Sequence, residues 1–124
     1  MKKAINSQKA PGAIGPYSQA IEAGEMVFVS GQLPIDPATG EMAQGAQAQT
    51  RQSLENMKHI LEEAGLTMAN VVKTTVLLED ISLFGEMNEV YATYFEAPFP
   101  ARSAFAVDAL PKGALVEIEC IAVR

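Results

Sequence analysis

Phe99-Pro-Ala-Arg-Ser-Ala-Phe-Ala-Val-Asp-Ala-Leu-Pro-Lys-Gly-Ala-Leu-Val-Glu-Ile-Glu119 consists of two extended arms joined by a turn. Prolines at 98 and 100 push Ala97 and Phe99 away from helical backbone, so any helix before them has ended and a strand can open at Ala101. Leu110-Pro-Lys-Gly113 carries turn chemistry, Pro111 presetting one dihedral and Gly113 accepting a positive φ. Beyond it the chain alternates: Val116, Ile118, Cys120 and Ala122 fall on one face, Leu115, Glu117, Glu119 and Ile121 on the other. The expectation is a β-hairpin with Arg102 opposite residue 121 or 122, which leaves Glu117 roughly 13 Å away along the strand. A ligand touching both would lie between two long side chains, at a bend, or in a groove shared with a neighbouring subunit. Two acids on one strand face also describe an ordinary half-solvated strand.

Working back from this stretch, a helix is expected from Ser82 or Asp80 to about Phe95, with Phe84, Met87, Val90, Tyr91, Tyr94 and Phe95 on its apolar stripe. Asn88 lies one step off that stripe and on pattern alone reads as an ordinary exposed helix asparagine. Lys73 to Leu78 is a β-branched strand. Ala46 to Ala64 shows helical periodicity, Leu54, Met57, Ile60, Leu61 and Ala64 sharing a face, and Gly65 stands where a C-terminal cap belongs. His59, the single histidine, reads as a surface position on that helix. Met26 to Ser30 and Tyr17 to Glu22 read as strands, with a further short one at Lys3 to Ile5.

That order gives one α+β domain over residues 1–124, a single mixed sheet with two helices on one face. Two helices cover only one side, yet Met26 to Val29 and Val76 to Leu78 offer apolar side chains to both. With 48% hydrophobic residues, the bare face is expected to meet another copy of the chain.

Lone Cys120 excludes an internal disulfide and a cysteine zinc cluster, and its apolar strand face predicts a buried, inert thiol. A net charge of −6 with scattered lysines speaks against a nucleic-acid partner. Nothing has the apolar length of a signal peptide or of the roughly 20-residue membrane span, so a cytoplasmic protein without a membrane partner is expected.

Five segments, Ala13-Ile-Gly-Pro-Tyr-Ser-Gln19, Val29-Ser-Gly-Gln-Leu-Pro34, Asn88-Glu-Val-Tyr91, Pro100-Ala-Arg-Ser103 and Leu110-Pro-Lys-Gly-Ala-Leu-Val-Glu-Ile-Glu119, resemble in order and spacing the motifs of the Rid (RidA/YjgF-like) proteins. These are reactive-intermediate enamine/imine deaminases, formerly labelled endoribonuclease L-PSP. The resemblance implies a chorismate-mutase-like fold, a homotrimeric barrel and ligand sites at subunit interfaces. It also implies that Arg102 clamps the substrate carboxylate, that Glu117 holds or activates water, and that Tyr17, Ser30, Gly31 and Asn88 line the pocket. Most familiar members carry cysteine two places after the arginine; here Ala104 offers a ligand only backbone groups, so no mechanism can use a thiol there.

The activity so implied is hydrolysis of 2-iminobutanoate and 2-iminopropanoate, derived from 2-aminoacrylate-type enamines, to 2-oxo acids and ammonia. Arginine suits the task because its planar fork fixes a carboxylate through two parallel charge-assisted hydrogen bonds. A carboxylate one water from the C=N carbon supplies a general base, typically worth about 10²- to 10⁴-fold. Free imines already hydrolyse in water, so positioning and one base suffice, and no metal, flavin or pyridoxal group is expected. The alternatives are a non-catalytic carboxylate-binding or regulatory trimer and, less in keeping with the charge, an endoribonuclease.

Overall fold

The computed structural model describes all 124 residues. Six strands, β1 (Lys2–Ile5), β2 (Ala20–Ala23), β3 (Met26–Gln32), β4 (Val71–Leu78), β5 (Ala101–Ala106) and β6 (Val116–Val123), form one mixed sheet in the order β1-β2-β3-β6-β4-β5. Helices α1 (Ala46–Glu63) and α2 (Phe84–Tyr91) cover one side of it. The expected α+β architecture is therefore present, but the hairpin is not. β5 pairs in parallel with β4, Thr74 opposite Arg102, while β6 runs antiparallel between β3 and β4. The reason lies in β4-α2-β5, a strand-helix-strand crossover of the kind that sets two strands parallel. Leu110–Gly113 turns the chain as its residues predict, with Lys112 at φ 58 and Gly113 at φ 71, but it returns the chain across β4 rather than along β5.

Alternation on β6 sorts the sheet into two faces. Val116, Ile118 and Ala122 are wholly buried and Cys120 nearly so, all toward α1, whose Leu54, Met57, Ile60 and Leu61 are equally enclosed. Each such aliphatic side chain contributes about 1.5–3 kcal/mol on leaving water. Cys120 is buried as expected, and burial pushes its thiol up to about 12. The helix ends at Gly65 with φ 77, where the Leu66 N–H donates to the Leu61 carbonyl at 2.8 Å. The second helix is shorter than its stripe suggests: Asp80 caps a single 3-10 turn at Ile81–Leu83, and the regular helix stops at Tyr91. The strand expected from Tyr17 begins only at Ala20.

Polar side chains of α1 frame the loops at one end of the sheet. Asn56 donates to the Leu33 and Ile35 carbonyls at 3.1 and 3.0 Å, and Gln49 accepts from the Leu115 N–H at 2.7 Å while donating to the Ala43 carbonyl at 3.0 Å. Ser53 Oγ, also enclosed, has no hydrogen-bond partner. An unmet buried hydroxyl costs about 1–3 kcal/mol and alanine is the better helix former, so Ser53→Ala is expected to raise the urea midpoint by about 1 kcal/mol of stability. A lower midpoint would show that the hydroxyl is satisfied in solution.

The opposite sheet face carries Phe28 and Phe105, 41% and 47% exposed, together with Met26 and Ile121. No helix is long and apolar enough to cross a membrane.

Candidate functional site

Seven residues were expected to form one site; the chain places them in two clusters on opposite faces of the sheet. The first lies in a groove of about 1220 Å³ at the end of β3 and β6, where Tyr17, Ser30, Gly31 and Glu117 come together. A register shift between Val29 and Gln32 bulges β3, where Gly31 lies against the neighbouring Glu117. Ser30 donates through Oγ to the Ser18 carbonyl at 2.6 Å and through its N–H to the Gln19 carbonyl at 2.9 Å, tying the bulge to the segment that carries Tyr17.

Glu117 occupies the open face of β6, half-buried and without a salt bridge. Burial first, and the Glu119 charge second, raise its carboxyl above the ordinary value of 4.5. A carboxylate raised in this way is a stronger base toward water. Gly31 makes room for it: a Cβ at 31 would stand 2.0 Å from Glu117 Oε2 and 2.9 Å from Cδ. Relief requires only that a flexible carboxylate swing aside, so Gly31→Ala is expected to fold normally yet lose about 10- to 10²-fold in kcat through the misplaced base. Wild-type kcat in a folded Gly31→Ala protein would dissociate the carboxylate's position from turnover.

The second cluster sits on the helix side of edge strand β5. Arg102 Nη1 donates to Asn88 Oδ1 at 2.7 Å, and the guanidinium carbon lies 4.7 Å from the Tyr91 ring centroid and 5.3 Å from that of Phe84. Phe84, Asn88 and Tyr91 are spaced four and three apart, so one face of α2 presents all three to the arginine. Asn88 thus lies in line with Phe84 and Tyr91 rather than one step off the stripe. Tyr91 is fixed in turn by a 2.7 Å hydrogen bond between its hydroxyl and Thr74 Oγ1, with burial raising the phenol's pKa. Ala104 follows on the same face of β5, its methyl against the core.

Arg102 forms no ion pair, and only one of the guanidinium's five N–H donors is engaged within the chain. Aromatic faces and one asparagine therefore hold a cation in place while leaving its fork open to an anion. Arg102 and Glu117 do not meet. Through β4, Arg102 registers with Cys120 and Phe105 with Glu117, so the two groups stand two strands and three positions apart, roughly 10 Å in each direction, with the sheet between them. The aromatic bed of Arg102 was legible in the helical spacing of 84, 88 and 91; what the alternation of β6 could not tell was that β5 lies on the far side of β4.

His59 sits half-buried on α1, its Nδ1 3.0 Å from the Lys9 carbonyl oxygen, away from both clusters. No group of three or more histidine, cysteine or acidic residues is arranged to hold a metal ion.

The model of the family described as endoribonuclease L-PSP matches residues 7–124. A RutC family protein of Pyrococcus horikoshii is 54% identical over 125 residues, all of this chain and 99% of the relative. The human protein named 2-iminobutanoate/2-iminopropanoate deaminase is 49% identical, covering all of this chain and 91% of its own length. Among solved structures, Escherichia coli TdcF with bound serine superposes with a TM-score of 0.95 at 49% identity, 98% of each chain being covered. With the motifs, the single mixed sheet and these relatives in agreement over nearly the whole length of the chain, the chain belongs to the endoribonuclease L-PSP family, that of the Rid and YjgF proteins.

Proposed function

We propose that the protein is a hydrolytic deaminase that converts 2-iminobutanoate and 2-iminopropanoate to the corresponding 2-oxo acids and ammonia. The observation that carries this reading is Arg102, stacked on aromatic rings, bonded to one asparagine and free of any carboxylate partner. Such a cation is prepared for a small anion, a carboxylate among them. Curated relatives that bear this deaminase name share about half of their residues with the whole of this chain, which supports the same assignment. Serine, itself a small carboxylate, is bound by TdcF.

The two clusters serve one reaction when a second copy supplies the complement, and the homotrimer that the family resemblance implies would supply it, with each site shared by neighbouring protomers. The exposed Phe28 and Phe105 on the bare sheet face support burial against other copies. In such a site Arg102 fixes the carboxylate, which sets the plane of the adjacent C=N carbon. Glu117 takes a proton from water as the oxygen attacks that carbon, giving a carbinolamine. Glu117 passes that proton to the nitrogen and then relays the carbinolamine hydroxyl proton to it, so that ammonia leaves as the C–N bond breaks and the C=O bond forms. Ser30 and Gly31 shape the floor and Tyr17 a wall on the Glu117 side.

The test is release of ammonia and 2-oxo acid from 2-aminoacrylate generated freshly by a pyridoxal-dependent dehydratase. Release above the buffer rate is expected. Tight binding of 2-oxobutanoate with no acceleration would leave a carboxylate-binding protein instead.

A further inference from the structure

Gln19 is a polar residue with 3% of its surface exposed, and its side chain makes four hydrogen bonds to one loop. Its Oε1 accepts from the Ser7 N–H at 2.6 Å. Its Nε2 lies within donating distance of the Ser7, Ala10 and Pro11 carbonyls, at 3.1, 3.4 and 2.8 Å. Residues 6–19 contain no strand or helix, so no ladder of backbone bonds fixes them. The same loop forms a wall of the groove that holds Glu117, contributing Ser7, Ala10, Pro11, Ile14 and Tyr17. Beyond Pro11 the wall stands free in the chain, Gly12 to Tyr17 being exposed throughout. The Gln19 backbone carbonyl meanwhile accepts from the Ser30 N–H on the groove floor. One residue therefore joins wall to floor, by its side chain on one side and its main chain on the other.

We infer that Gln19 is a positioning residue for substrate binding, setting the width of the groove and the place of Tyr17 without touching the reacting atoms. The inference rests on the imine-hydrolase reading above, so it is tested by a measurement that does not depend on turnover as well as by one that does. Gln19→Met keeps the length and loses every side-chain hydrogen bond; Gln19→Glu keeps an acceptor for the Ser7 N–H and sets a carboxylate oxygen against the Ser7, Ala10 and Pro11 carbonyls. Arg124→Ala, which removes the bonds to Glu22 and the Ala64 carbonyl at the far end of the sheet, serves as a destabilised control with wild-type kinetics.

Calorimetric Kd for 2-oxobutanoate and KM for the imine are expected to rise about tenfold in Gln19→Met, with kcat within about threefold, and to rise at least as much in Gln19→Glu, whose acceptor-only carboxylate faces three carbonyl oxygens. Unchanged Kd and KM in either folded variant would overturn the inference. So would a kcat that falls alone, or failure of both variants to fold, which would make the loop part of the core rather than an adjustable wall. If wild-type protein binds 2-oxobutanoate but hydrolyses no imine, the catalytic reading fails while the Kd shift still decides the role of Gln19.

Discussion

Arg102→Ala is expected to remain folded and to lose about 10²- to 10³-fold or more in kcat/KM for imine hydrolysis, because it removes the only pinned cation able to orient the substrate carboxylate. The structural cost is small: the side chain is exposed, its one hydrogen bond is to the half-buried Asn88, and it sits over Tyr91 and Phe84 rather than beneath them. Thermal midpoints close to wild type should accompany the kinetic loss. Arg102→Lys separates charge from geometry. Lysine keeps the charge but not the planar fork, so it should recover part of the loss through KM and little through kcat. Imine hydrolysis at the wild-type rate in Arg102→Ala would remove the clamp from the mechanism and with it the strongest support for the assignment.

How far the sequence foretold this arrangement depends on the range of the signal. Local signals held. Alternation sorted β6 into Val116, Ile118, Cys120 and Ala122 inward and Glu117 and Glu119 outward, because the pleat has a period of two wherever the strand is placed. Gly65 and Gly113 take the positive φ their positions require. Pairing did not hold, since turn chemistry says where a chain reverses and not which strand it lies beside. Leu110–Gly113 reverses the chain, but β4 has already taken β5 as a parallel partner through α2, so β6 enters between β3 and β4.

The same distinction governs the site. Motif resemblance named Tyr17, Ser30, Gly31, Asn88, Arg102, Ala104 and Glu117 as a set, and a set carries no information about which members share a face of the sheet. The structure divides them into a groove that holds Glu117 and a separate cluster that holds Arg102. Gln19 escaped notice as a functional residue although it ends the first motif. A glutamine beside a strand start has no pattern that announces four bonds to a loop, whereas the tertiary placement of Ser7 to Pro11 makes it evident.

Glu117→Gln tests the division itself. Without an ionisable group near the water, kcat is expected to fall about 10²- to 10⁴-fold, and the acid limb of the pH-rate profile, which should lie above 4.5 because burial and Glu119 raise this carboxyl, should disappear. Stability should move the other way. A carboxyl whose pKa is raised on folding binds its proton more tightly in the native state, so the wild-type penalty is absent below the unfolded value and grows as pH rises through the folded one. Glu117→Gln should therefore unfold at higher temperature than wild type near neutral pH and at the same temperature in acid. If Glu117 and Arg102 act from different protomers, neither variant is active alone but a mixture is. Refolding Arg102→Ala and Glu117→Gln together at equal amounts should restore about a quarter of wild-type activity, the fraction of shared sites that draw an intact base from one parent and an intact clamp from the other. A site built within one chain would regain nothing on mixing, since every chain in the mixture lacks one of the two groups; that result would require Arg102 and Glu117 to cross a sheet that now separates them.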